Sequence, residues 1–137
     1  THVDYDKLKE KLQAFRKLGD LVIVTERPFV TPRMFRATIS SVRAHEILLA
    51  VLRTLGLGLH ATWDSREWQH ERLGRFERGE SEARSEKVGC RLYPGLKDII
   101  HKNKDADGLI MAHCLRKRVL AEEKSAKNQK KEPNKET

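Results

Sequence analysis

An α/β protein is what the sequence predicts, on three observations. Residues 21–25, "LVIVT", are apolar without alternation, as in a strand covered on both faces. A long helical repeat follows, bracketed by Pro32 and by the glycines at 56 and 58. A second short strand-like run, "LHAT" at 59–62, comes after it. The order helix, strand, helix, strand is that of a parallel-paired unit.

Each element has its own warrant. Residues 4–18 place Leu8, Leu12, Phe15 and Leu18 at helical spacing, with Asp4 as the N-cap and Gly19 as the stop. Gly19 and Asp20 turn the chain into the strand at 21–25, and Pro28 and Pro32 bound a loop. Between 33 and 55, Phe35, Ile39, Val42, Ile47, Leu48, Val51, Leu52 and Leu55 predict one long helix, apolar over a wider arc than a single core face requires. That arc suits either burial within one domain or a two-fold dimer seam.

Beyond the second strand, Thr62 or Asp64 caps a helix carrying Trp63 and Trp68, both read as packing residues. A charged stretch, "RFERGESEARSE", leads into a helix near 81–93 that Pro94 and Gly95 break. "LKDII" reads as a short apolar turn, "HKNKDAD" as polar loop with His101 at the surface, and "GLIMAHCL" as the start of a final helix. From residue 122 apolar residues almost vanish while lysine and glutamate dominate. The expected organisation is one domain over 1–121 and a basic disordered tail over 122–137.

Two strands make a poor sheet, since an isolated pair is marginal in water. The expectation is therefore a sheet incomplete at its N-terminal side, with partner strands in sequence preceding Thr1.

Composition narrows the function. The 137 residues contain 28 Lys and Arg against 20 Asp and Glu, a formal +8. Such a balance favours polyanionic partners, nucleic acid first. No apolar run approaches the roughly 18 residues of a membrane span, and no leader-like apolar segment opens the chain, so the reading is a soluble, cytoplasmic protein without a membrane partner. The two cysteines, Cys90 and Cys114, are far apart and lack zinc-site spacing; they read as reduced core residues. His60 and His113 read likewise as packing residues rather than ligands.

The chemistry-bearing candidates are acidic. Glu26 ends the first strand, where open α/β sheets place functional groups. Asp105 and Asp107 stand at the amino end of the last helix. Should that helix pack on the strand, the three carboxylates would supply hard oxygen ligands for Mg²⁺, and a pair of such ions would activate water for phosphodiester hydrolysis. Spacing alone is also met by the simpler reading, in which Asp105 or Asp107 caps the helix and Glu26 is a solvated loop acid. Arg27, Arg33, Arg36 and Lys87 are candidates for phosphate contacts. The "RKR" at 116–118 and the lysine-rich end would add salt-sensitive affinity.

Taken in order, "LVIVTERPF", "TPRMFRATISSVRAHEILLAVLRTLGL", "HATWDSREWQHERLG", "SEK" and "DADGLIMAHC" resemble the Holliday-junction resolvases of the RuvC type, over roughly residues 3–118. Nothing upstream of residue 21 reads as that family's first, aspartate-bearing strand. The resemblance implies an RNase H-like fold, a mixed sheet flanked by helices. It implies a homodimeric Mg²⁺-dependent endonuclease, with Mn²⁺ as a substitute ion, that cuts branched four-way DNA in recombination or repair. It assigns Glu26 and Asp107 to metal and catalysis, with Asp105 substituting for the family's acid three positions before Asp107, where Lys104 stands here; it assigns Lys87 to the scissile phosphate and Phe29 to the branch point, where an exposed ring stacks on bases. Two alternatives stand beside it: a catalytically inactive DNA-binding relative, and a nuclease of the same superfamily acting on another branched or hybrid nucleic acid.

Overall fold

A computed structural model describes residues 3–28, 30–74 and 80–131. Its elements run α1 (Tyr5–Arg16), β1 (Val24–Glu26), α2 (Phe35–Leu55), β2 (Ala61–Trp63), α3 (Ser65–Leu73), α4 (Ser81–Leu92), α5 (Lys97–Asn103) and α6 (Asp107–Lys131). Single 3₁₀ turns at Pro32–Met34 and Pro94–Leu96 lead into α2 and α5. The chain divides into two units, Thr1–Ser65 and Arg66–Thr137.

The expected RNase H-like sheet flanked by helices is not the architecture found. Most described residues are helical, and the sheet among them has two parallel strands of three residues each, Val24 pairing with Ala61, Thr25 with Thr62 and Glu26 with Trp63. The reason lies in pairing rather than pattern. A parallel ladder needs a neighbour for every residue, and β2 offers three. Leu21, Val22 and Ile23 therefore precede the strand instead of forming it, although the His60 N–H still donates to the Ile23 carbonyl at 2.7 Å.

In the first unit, the Asp4 carboxylate accepts from the Lys7 N–H at 3.0 Å and caps α1. Helix α1 lies on α2 through polar contacts. The Arg16 guanidinium donates to the Leu55 carbonyl at 2.6 Å. The Thr54 hydroxyl donates to the Ala50 carbonyl, so the Tyr5 hydroxyl is the donor in its 2.7 Å bond to Thr54. Gly56 closes α2 in the left-handed conformation, φ +66°, and the Leu57 N–H returns to the Leu52 carbonyl at 2.8 Å. Of the described apolar residues here only Val51, Leu52 and Trp63 are buried; Trp63 belongs to β2 and not to the following helix.

The second unit holds the larger core. Trp68, Leu73, Val88, Ile100, Ala106, Ile110, Met111, Cys114 and Leu115 are all buried. On α6 the buried positions 110, 111, 114 and 115 form one stripe, the helical signature of a single packed face. The segment expected as a short turn at 96–100 is mostly helix, since Lys97 to Asn103 form α5 and bury Ile100. Gly89 marks where α4 meets the turn before α6: a Cβ there would lie 2.6 Å from the Ala106 Cβ. Helix α6 continues to Lys131 through most of the stretch read as a tail, its residues from 121 to 131 all being exposed.

Candidate functional site

The carboxyl ends of both strands share one edge, because the pair is parallel. Glu26 stands there, exposed, as the last residue of β1. The ladder extends one step further, the Arg27 N–H donating to the Trp63 carbonyl at 2.7 Å. Its guanidinium then reaches Asp64, the residue after β2, at 3.3 Å. Glu26, Arg27 and Asp64 are thus fixed by backbone pairing at the strand ends, the place where sheets of this kind carry functional groups.

A groove of about 460 Å³ opens beside Glu26, lined also by Thr25, Arg27, Ser41, His45 and Leu48. The Nδ1 of His45 is buried there without a hydrogen-bond partner among the described residues. Arg33 and Arg36 are exposed on the turn and first residues after the loop. Thr38 pins that loop. Its hydroxyl accepts from the Thr31 N–H and donates to the Thr31 carbonyl, both at 3.1 Å, so one side chain of α2 holds the segment carrying Arg33. Arg36 also lines a second groove together with Arg43, seven residues along the same helix face. Phe29 lies outside the described residues.

Asp105, Asp107 and Lys87 belong to the second unit. Lys104 takes a left-handed conformation, φ +52°, which ends α5 and turns the chain toward α6. Asp105 occupies this pre-helical turn and accepts from the Asp107 N–H at 2.8 Å. The Ser85 hydroxyl, from the buried face of α4, donates to Asp107 Oδ1 at 2.6 Å. Burial raises the pKa of Asp107; the bond from Ser85 opposes the shift, and the charges of Asp105 and Glu82 add to it. The two aspartates are brought together, with Glu82 near enough to be felt. Lys87 is not part of this group. It is exposed, two residues and about 200° round the helix from Ser85.

Among the described residues no group of three or more His, Cys, Asp or Glu is placed to hold a metal ion. Sequence reading overlooked Ser85, Glu82, Arg43 and His45, and took Asp64 only as a candidate helix cap. Ser85 had a signal: with Val88 and Gly89 it recurs at core spacing on α4, and a hydroxyl on such a face needs a partner. Nothing in the sequence placed His45 and Asp64 near Glu26, because only the strand pairing and the packing of α2 bring them there.

The chain matches no model of a known protein family, no curated protein and no solved structure. Among the described residues no helix is long and apolar enough to cross a membrane.

Proposed function

We propose that this protein is a divalent-cation-dependent endonuclease acting on branched, four-way DNA. The observation that carries the reading is Asp107. It is a partly desolvated carboxylate whose proton is held more tightly than usual, with Asp105 hydrogen-bonded beside it and a third acid nearby. Accumulated negative charge that burial and two neighbours disfavour is what a hard cation relieves. Mg²⁺ needs only one or two carboxylates, its remaining positions going to water and substrate phosphate, so the donors present suit it. When bound, the ion would supply activated water and charge neutralisation at phosphorus.

The chain's own residues contribute the rest. Ser85 orients Asp107, and Asp105 fixes the start of α6. Glu26 is an exposed carboxylate at the strand end of the first unit. Arg27, Arg33 and Arg36 are exposed cations suited to phosphate contacts, which position a duplex without reading its sequence. A homodimer fits a substrate with two equivalent cut sites.

A labelled four-way junction incubated with Mg²⁺, then with EDTA, tests the reading. Paired nicks that need Mg²⁺ and disappear in Asp107→Asn are expected, with junction binding retained. Undiminished cutting by Asp107→Asn removes the mechanism.

A second reading, DNA binding without cleavage, is favoured by the use already made of Asp105. Its Oδ1 satisfies the first amide of α6, a capping role sufficient to explain its presence. Salt-sensitive junction binding with no Mg²⁺-dependent product would select it.

A further inference from the structure

Outside the acidic group, the second unit brings together three side chains of a different chemistry. Glu86 and Cys90 lie one turn apart on α4, hence on one face. His101, from α5, stands between them. Its Nε2 is 4.0 Å from Cys90 Sγ, and its Nδ1 is 3.5 Å from a Glu86 carboxylate oxygen. The order thiol, imidazole, carboxylate is that of an activated nucleophile, a base and the group that orients the base, and such contacts are commonly loose before a reagent arrives. A metal site is a poor alternative. Cys90 and Glu86 address opposite nitrogens of one ring, so the three cannot converge on a single ion.

We infer that Cys90 is a nucleophilic thiol, assisted by His101 and Glu86, that undergoes exchange with small disulfides. The reaction class follows from what surrounds the sulfur. Acyl transfer needs amide donors aimed at a developing oxyanion, but Cys90 sits inside α4, where backbone N–H groups are consumed by the helix itself. Thiol–disulfide exchange develops no oxyanion and needs only a thiolate with access to the reagent. Access exists: Cys90 is half-buried and His101 is 52% exposed at its side chain.

The step balances without a further reactant. The Cys90 S–H proton passes to His101 Nε2, and Glu86 holds the imidazolium at Nδ1. The thiolate attacks one sulfur of the reagent; that S–S bond breaks as the bond to Cys90 forms, and the departing thiolate takes the proton from His101. Cys90 is oxidised to a mixed disulfide while half of the reagent is reduced to a thiol.

Cys114 provides an internal control. It is 1% exposed and its sulfur accepts from the Arg72 Nε–H at 3.2 Å, so it is closed to reagents in the folded chain. The test treats the full chain with oxidised glutathione, and with an aromatic disulfide for rate measurement, locating the adduct by peptide mass. One rapid adduct at Cys90 is expected, absent in Cys90→Ser. At about pH 7, His101→Gln should slow it by about tenfold or more and Glu86→Gln by less. At about pH 10, where an unaided thiol ionises, the parent and His101→Gln should react alike. Circular dichroism confirms that each variant is folded. A parent rate at Cys90 equal to that of the denatured chain, a His101→Gln rate equal to the parent's at neutral pH, or faster labelling of Cys114 would each overturn the inference.

Discussion

The two units bury apolar residues to different extents. In the first, α1 buries nothing, and Phe15, Leu18, Val22, Val30, Met34, Phe35 and Val42 are exposed, Leu18 by 86% and Phe35 by 69%. In the second, Trp68, Ile110 and Cys114 are each 1% exposed or less and even a hydroxyl, Ser85, is buried and bonded to Asp107, although Leu96, Ile99 and Leu120 are exposed. The difference teaches where each candidate chemistry gets its support. Glu26 and its arginines are positioned by backbone pairing and a single threonine clamp, whereas Asp107 is held by a packed core.

The contrast breaks most decisively at the core positions. Ile110→Ala in the second unit should cost about 2–5 kcal/mol in chemical denaturation, while Phe35→Ala in the first should change stability by no more than about 0.5 kcal/mol. Equal costs would mean that the exposed ring is covered in solution.

A smaller effect is expected at Gly89→Ala. The new methyl would meet the Ala106 Cβ at 2.6 Å and the Ile100 Cδ1 at 3.4 Å, and neither α4 nor the turn before α6 can yield without moving. A loss of about 1–3 kcal/mol is expected. Because Ser85 is one turn earlier on the same face, its contact with Asp107 should loosen as well. A perturbed Asp107 titration by NMR would show this.

The smallest effect is electrostatic. The pKa of Asp107 is raised in the folded chain, so the native state holds its proton to higher pH than the unfolded state does. Its contribution to stability is therefore complete below about pH 4, the ordinary carboxylate range, and is lost as pH rises through the raised value. Stability of the parent relative to Asp107→Asn should fall across that window, measured by denaturation at a series of pH values. Added Mg²⁺ should reduce the fall if the cation sits at this carboxylate; a flat difference would place Asp107 among ordinary solvated acids.

Local structure was largely legible beforehand. The Asp4 cap, the Gly56 stop, the helix of α4 and the start of α6 all follow from short-range rules about orphan amides, left-handed glycine and periodicity, which need no distant partner. The sheet was not legible. An apolar run advertises burial, yet the number of its residues that become strand depends on the length of the segment beside it, and three residues of β2 set three residues of β1. For the same reason the RNase H-like architecture expected from motif order did not appear: motif order constrains the chain locally, and a sheet is a sum of distant pairings.

The candidate site divides along that line too. Composition and spacing alone marked Glu26, Asp105, Asp107 and the arginines as the polar groups worth attention, since charge at the end of an apolar strand or helix is visible in one dimension. Which of them meet was decided by folding. Asp105 joins Asp107 because a left-handed Lys104 turns the chain, Ser85 joins them because α4 approaches closely at a glycine, and Lys87 is excluded by helical phase. The pairing of Cys90 with His101 is likewise invisible until α5 folds back on α4, because eleven residues of sequence separation carry no information about a 4.0 Å contact until the intervening turn is formed.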